Sequence, residues 1–444
     1  MNSTCVIGAG LTGLMSAWRA HKSGDSVTIF ESGKCTGGVL QSKNSDGFLL
    51  DYGANTLSLR RKDVSDLMEE LGILGRAIEA NPEANLRFIV KNGKLVSLPH
   101  SLSSFLTSSF LSPFGKLRLL CEPFIAKGQK IDETVADFIS RRLGKEALTY
   151  AGNPFLSGVY AARPESLSLT HAFPGLQEME QSHGSLFKGM IKSKKDPNRL
   201  PKTRLISFPL GMQELTDHIS NQLPDSSIRL QSKVLKIEKI ENQWRVIIQG
   251  DGASTEEVIC DSVICSIPAH QLMSIEWSGL QGDELFKDLS NARHFPLALV
   301  YHGYERKNIF HPLNGFGFLV PEVENRKILG TLFSSTIFPG RAPNGHVLLT
   351  TFVGGERQPD IAEWEDKKIH SMVQDEHADL LGTSKTPFFK KIIRWSKAIP
   401  LPDQSMQTRK QAARKLEEQN PGLFFTGSHL CGPPLPSCMQ TDMI

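Results

Sequence analysis

The stretch Thr4-Cys5-Val6-Ile7-Gly8-Ala9-Gly10-Leu11-Thr12-Gly13-Leu14 decides the fold. Residues 4 to 7 read as a short buried strand, and Leu14, Ala17, Trp18 and His21 continue at helical spacing. A second strand, Val27-Thr28-Ile29-Phe30, follows and ends at Glu31. Strand, glycine turn, helix, strand and terminal acid in this register form a dinucleotide-binding βαβ unit. Gly8 permits the tight turn, Gly10 lets backbone approach a pyrophosphate, and Gly13 lets helix and strand pack closely. Ala9, Leu11 and Thr12 complete the loop, whose helix N-terminus attracts phosphate, while Glu31 can accept hydrogen bonds from ribose hydroxyls.

Composition narrows the remainder. The chain has 444 residues, 39% of them hydrophobic, which excludes a disordered or fibrous protein and suits two or three domains. Its 50 basic and 47 acidic residues leave a net charge of +3, without the basic excess of a nucleic-acid protein. An anionic substrate must therefore be recognised locally rather than by a broad field. Seven cysteines, at 5, 35, 121, 260, 265, 431 and 438, form no CxxC pair and read as reduced thiols of a cytoplasmic protein. No leader peptide and no spanning helix are expected.

Downstream, residues 63 to 75 read as a helix, and residues 86 to 99 as a hairpin turning at Asn92-Gly93. Residues 101 to 125 carry an apolar series: Leu102, Phe105, Leu106, Phe110, Leu111, Phe114, Leu117 and Leu120, broken at Pro113. This segment reads either as two helices packed on the body or as a surface dipping into a bilayer interface. Residues 130 to 200 look mainly helical, and the charged run 193–204 looks like an exposed loop. After a helix at 213–223, the stretches 228–230, 234–237 and 244–248 alternate as strands do, and 261–268 looks like a strand returning to the first sheet. Several strands between 294 and 354, a helix at 360–382 and a last strand near 421–427 complete the pattern. The histidines form no HxxxH or HExxH motif, and no metal site, catalytic triad or carboxylate pair stands out.

The segments GAGLTGL, FESGKCTGG, LDYGANTLS, LRFIVKNGKLVSLP, GNPFLSGVYAARPESLS, SFPLGMQEL, GFGFLVP, VLLTTFVGG and GLFFTGSHLCG resemble the FAD-dependent, oxygen-using protoporphyrinogen and coproporphyrinogen oxidase family, within the flavin amine oxidase superfamily. The resemblance covers nearly the whole chain, and GANTL looks like the plant-type members. The family's usual arginine after the acid is replaced by Cys35, with Lys34 one place early as a point charge. The family's "P.Y..GH" segment is missing after Trp395-Ser396-Lys397-Ala398-Ile399-Pro400, and the stretch after Leu435 leaves room for a helix of barely a turn or two.

The implied α/β architecture is a discontinuous Rossmann-like FAD domain (1–62, 205–268 and 390–444), a sheet-based substrate domain (63–86 and 269–389) and a helical, membrane-associated domain (87–204). The resemblance implies FAD contacts from Gly8 to Gly13, Glu31, Ser32, Gly37, Gly38, Val39, Gly53, Ala54, Asn55, Thr56, Val234, Trp395, Pro433, Pro434 and Leu435. It places Arg87 at a substrate propionate, lines the tetrapyrrole pocket with Phe88, Gly158, Phe316, Leu319 and Phe352, and sets Asn55 beside the macrocycle. The implied reaction passes a hydride from a methylene bridge of a porphyrinogen to the flavin, with molecular oxygen as final acceptor, three times over. The implied partners are the porphyrinogen and oxygen, with no nucleic acid; a homodimer and a peripheral contact with the inner face of a membrane through 101–125 are left open. Two other readings are an amine oxidase-like or carotenoid desaturase-like flavoenzyme and a flavin-binding protein with weakened catalysis.

Overall fold

The computed structural model describes residues 2–440 apart from 131, 194–195 and 251–253. A five-stranded parallel sheet is assembled from segments far apart in the chain, in the order Ile228–Arg229, Ser26–Phe30, Ser3–Ile7, Ser262–Cys265, Leu423–Phe425. Strand alternation sorts its side chains onto two faces. Val6, Ile29 and Ile264 face the helices Leu11–Lys22 and Gln213–Ser220. Cys5, Ile7 and Phe30 face the antiparallel strands Lys233–Ile240 and Gln243–Gln249 and the helix Ser405–Gln419. The expected strand at 228–230 therefore belongs to the edge of this sheet, while 234–237 and 244–248 pair in a separate one.

A seven-stranded mixed sheet runs Phe389–Trp395, Leu297–Glu305, His346–Gly354, Gly330–Leu332, Gly315–Leu319, Leu86–Lys91, Lys94–Ser97. The long helix Asp366–Leu381 covers one face through Ile369, Val373 and Leu381. The other face carries Leu299, Tyr301 and Leu348 and meets Phe48 and Leu50 of the strand Phe48–Asp51. The hairpin turns at Asn92-Gly93, both at positive φ, as such a two-residue turn requires. The strand that bears Arg87 thus sits with this sheet rather than with the helices that follow it.

The charged run 193–204 is corrected. From Arg199 it enters a strand, Arg199–Ser207, that pairs with Leu57–Arg61 and Ile78–Glu79; Lys194 and Lys195 lie outside the described residues. Arg199, Pro201, Lys202 and Thr203 are exposed on this strand without regular alternation, which hid it in the sequence.

Residues 101–125 form the helices Leu102–Thr107 and Pro113–Leu120. Pro113 opens the second helix, where its missing N–H costs nothing, and Ser112 accepts from the Gly115 N–H at 3.0 Å. Phe110 and Leu111 pack against Ile89, whereas Leu106, Phe114, Leu117 and Leu120 remain exposed. Leu102 lies outside the residues whose side chains are described. Among the described residues, no helix is long and apolar enough to cross a membrane.

The helical region is pinned by a buried ionic knot. Arg142, fully buried, contacts Glu122 at 3.1 Å and Glu180 at 2.5 Å, while Arg141 reaches Glu133 and Glu180 at 2.7 Å each. Glu122 also accepts from the Ser185 hydroxyl at 2.6 Å and the Leu186 N–H at 2.8 Å, so its charge is fully solvated by protein. Replacing Arg142 with Ala strands the buried Glu122 carboxylate and leaves Glu180 to Arg141 alone. The expected loss is about 3–5 kcal/mol, read as a lower midpoint in a urea titration followed by circular dichroism.

Candidate active site

The glycine loop forms as its spacing requires. A Cβ placed on Gly13 would fall 2.1 Å from the Gly8 carbonyl oxygen and 2.4 Å from Ser266 Oγ, so helix and loop can meet only through glycine. On Gly10 a Cβ would meet nothing within 4 Å, which leaves an open face above the loop. The helix Leu11–Lys22 starts at Gly10 with no side-chain cap, so the backbone N–H groups of Leu11, Thr12 and Gly13 are left for a phosphate.

Glu31 is fixed at the tip of the second strand. Its carboxylate accepts from the Ala9 N–H at 2.8 Å and the Gly33 N–H at 2.7 Å, and the exposed Ser32 hydroxyl lies 3.5 Å away. A carboxylate has about four lone-pair positions, so acceptor capacity remains for ribose hydroxyls. Gln231 and Ser232 donate backbone N–H groups to the carbonyls of Gly33 and Glu31, and Val234 follows at a β-bulge, which sets this segment beside the nucleotide end. Gly37 donates to the Ala9 carbonyl at 2.8 Å and brings Gly38 and the exposed Val39 next to Gly10.

The loop Gly53-Ala54-Asn55-Thr56 then packs on Val39, whose carbonyl oxygen would lie 2.2 Å from a Cβ at Gly53. Asn55 Nδ2 donates to the Gly53 carbonyl at 3.1 Å. Trp395 Nε1 donates to the Tyr52 carbonyl at 2.8 Å, so Trp395 also stands at this loop. Pro433, Pro434 and Leu435 open the short helix Leu435–Met439, packed on the helix Leu11–Lys22 and the strand Leu57–Arg61. Loop, acid and flanking segments together fit an FAD: donors for the pyrophosphate, acceptors for the ribose, and an open face where the nucleotide would lie.

One node of the site was not legible as such. Asp51 is buried and accepts from Ser42 Oγ at 2.6 Å and the Met212 N–H at 2.8 Å, and it pairs with buried Arg341 at 3.2 Å. Burial pushes the Asp51 carboxyl up, while the Arg341 guanidinium pulls it back. Arg341 also donates to Ser207 Oγ, and the Tyr301 hydroxyl donates to the Asp51 carbonyl at 2.5 Å. Burial, then the nearby Asp51 charge, push the Tyr301 phenol up, which keeps it a donor.

The substrate-side residues divide by strand face. Arg87 is in register with Gly317, Leu319 with Gly330, Leu332 with Thr350, and Gly330 with Phe352, so these positions share one face of the seven-stranded sheet. Arg87 lies 5.2 Å over the Phe316 ring. A Cβ on Gly158 would fall 2.6 Å from Leu319 Cδ2, so the helix Asn153–Tyr160 approaches that leucine through its glycine. A cavity between Asn55, Thr56, Leu332, Phe338, Leu348 and Thr350 joins this face to the flavin loop. Phe88 is the exception. It points to the opposite face, buried in the core with its ring 5.2 Å from His311, because alternation reverses every residue after Arg87. The structure separates it from the other five.

A second cation was missed. Burial, then the charge of Arg60, hold the Arg87 guanidinium below its ordinary value. Arg60 Nε donates to Ser58 Oγ at 3.3 Å, laying the side chain back along its strand toward Thr56. The signal was present in Leu57-Ser58-Leu59-Arg60, where alternation puts Ser58 and Arg60 on one face.

A parallel sheet with this glycine loop, set beside a largely apolar sheet face, suits a nucleotide-dependent oxidoreductase. Residues 11–438 match the family described as flavin containing amine oxidoreductase. The chain is 36% identical to the mitochondrial protoporphyrinogen oxidase of Nicotiana tabacum, over 96% of this chain and 90% of that one. It is 27% identical to the coproporphyrinogen III oxidase of Staphylococcus aureus, over 100% and 97% of the two chains. Its fold is similar to that of a crystal structure from Exiguobacterium sp. 255-15, with a TM-score of 0.81 and 22% identity over 99% of this chain and 96% of that one. The chain belongs to the flavin-containing amine oxidoreductase family and is an FAD-dependent oxidoreductase.

The Gly13 contact yields a direct expectation. Gly13→Ala should keep its far-ultraviolet circular dichroism but lose most of its flavin, read as absorbance near 450 nm after gel filtration; full flavin retention would reject the packing argument.

Proposed function

We propose that this protein oxidises protoporphyrinogen IX, a large apolar ring with two neighbouring propionates, and passes the electrons to dioxygen. The observation that carries this reading is the Arg87 guanidinium over the Phe316 ring on an apolar sheet face, near enough to Arg60 for the two charges to repel. Two cations suit two adjacent carboxylates, each through charge-assisted hydrogen bonds. The 36% identity to a protoporphyrinogen oxidase, against 27% to a coproporphyrinogen III oxidase, supports the same choice.

In this reading Arg87 and Arg60 grip the propionates and set the ring's orientation. Phe316, Leu319 and Phe352 lie against its faces and exclude water, and Gly158 brings Leu319 close enough to narrow the slot. Asn55, with Nδ2 committed to the Gly53 carbonyl, offers Oδ1 to a pyrrole N–H. Bound FAD supplies the hydride acceptor for a methylene carbon of the ring, so the protein's task is to position and to desolvate. Phe88 takes no part.

Arg87→Ala should raise KM for protoporphyrinogen about tenfold or more with kcat little changed, and Arg60→Ala should do so to a similar extent. Growth of porphyrin fluorescence in oxygenated buffer measures both. Faster turnover of coproporphyrinogen III than of protoporphyrinogen IX would overturn the two-carboxylate reading.

The reading extends to a membrane surface. Phe114 and Phe124 are 84% and 88% exposed, and Leu106 and Leu117 of the same segment are exposed as well. Phe110 and Leu111 anchor the segment on Ile89, two residues beyond Arg87 on its strand, so the surface adjoins the cleft. An apolar ring reaches the site through the interfacial layer of a bilayer. The double substitution Phe114→Asp and Phe124→Asp should abolish co-flotation with phospholipid vesicles and leave the melting temperature nearly unchanged.

A further inference from the structure

Two cysteines seven positions apart are brought back together beside the flavin loop. Cys431 Sγ lies 3.6 Å from Cys438 Sγ, and both sulfurs lie 3.5 Å from the Gly432 carbonyl oxygen. Between them run Gly432, Pro433, Pro434 and Leu435, the segment that flanks the FAD site. Cys438 is buried and hydrogen-bonds the side chain of Thr12, within the glycine loop itself. Cys431 is only half-buried.

We propose that Cys431 and Cys438 are a redox modification site: a hydroperoxide joins them in a reversible disulfide that clamps the segment Gly432–Leu435 against the flavin.

The two sulfurs differ in the way such a couple requires. The half-buried ammonium of Lys410 lies close enough to interact with Cys431; burial lowers its pKa and the Cys431 sulfur raises it again. A cation beside a partly exposed sulfur favours the thiolate, the form that attacks peroxide. Donation of its S–H to the Cys431 sulfur, then burial, push the Cys438 thiol up, so it waits as the resolving partner. The Cys431 thiolate attacks one peroxide oxygen; the O–O bond breaks, water leaves, and a sulfenic acid remains. Cys438 then attacks the Cys431 sulfur; the S–S bond forms, the S–O bond breaks, and a second water leaves. Two thiols lose two electrons and the peroxide gains two. The sulfurs close to about 2.05 Å, a shift shared between the short helices Ser428–Cys431 and Leu435–Met439. Peroxide is the two-electron product of dioxygen at any flavin oxidase, so the oxidant arises at this site whatever the organic substrate.

The test uses the flavin-loaded protein. Reduced protein freed of reductant is given one to two equivalents of hydrogen peroxide, alkylated with iodoacetamide and digested with trypsin. Residues 416–444 contain no Lys or Arg, so one peptide carries both cysteines. The expected product is that peptide about 2 Da lighter, unalkylated, and restored by dithiothreitol. Neither Cys431→Ser nor Cys438→Ser should give it, and the wild-type measurement stands even where a serine variant fails to fold. Crosslinked protein should lose flavin in dialysis at least threefold more slowly than reduced protein. Alkylation of both cysteines after peroxide, conversion to sulfinic acid without the lighter peptide, or equal flavin loss from the two forms would each overturn the proposal.

Discussion

The ion pair between Asp51 and Arg341 is the joint at which the protein's separate pieces become one site. Both side chains are 2% exposed, where an unpaired charge would cost several kcal/mol. The pair persists because Asp51 accepts from Ser42 and Met212 while Arg341 donates to Ser207 and the Phe208 carbonyl, partners drawn from two distant stretches of the chain. Tyr301 adds the seven-stranded sheet by bonding the Asp51 backbone. Asp51 is also the residue after which the chain turns into Tyr52-Gly53-Ala54-Asn55. The position of the flavin loop relative to the apolar sheet face is thus set by a charge that has only one place to go.

That joint separates what could be read in the sequence from what could not. The glycine loop, the acid at Glu31 and the hairpin at Asn92-Gly93 are local: each follows from φ, from alternation or from helical spacing within a dozen residues. Resemblance to a family then reached the cofactor and most of the cleft. Asp51 was quoted only as part of a motif, and Arg341 lies 290 positions away, so no spacing rule links them. Phe88 was misplaced for a related reason. Its chemistry suits a pocket, but the face it occupies is decided by its neighbour Arg87, and two adjacent strand residues cannot both face the cleft. The strand at Arg199–Ser207 escaped notice because its exposed positions do not alternate regularly and its partners are over a hundred residues upstream.

The helical region obeys a different economy. Its interior is held by Arg142, Glu122 and Glu180, whereas its outward surface shows phenylalanine and leucine to solvent. Soluble folds usually reverse that arrangement. A polar knot inside lets the outer face stay apolar without loss of definition, since the geometry of a guanidinium fork specifies the packing that hydrophobic contacts alone would leave loose.

The strand order of the parallel sheet bears on how the chain reaches this state. Ser3–Ile7 lies between partners drawn from residues 26–30 and 262–265, and the outer strand Leu423–Phe425 is made long after both. Until it arrives, Ser262–Cys265 presents an unpaired edge, open to other nascent chains. Contacts across such sequence separations form slowly, because loop closure must precede any gain from pairing. The nucleotide site is therefore completed only after a strand far beyond its signature in the chain has been made.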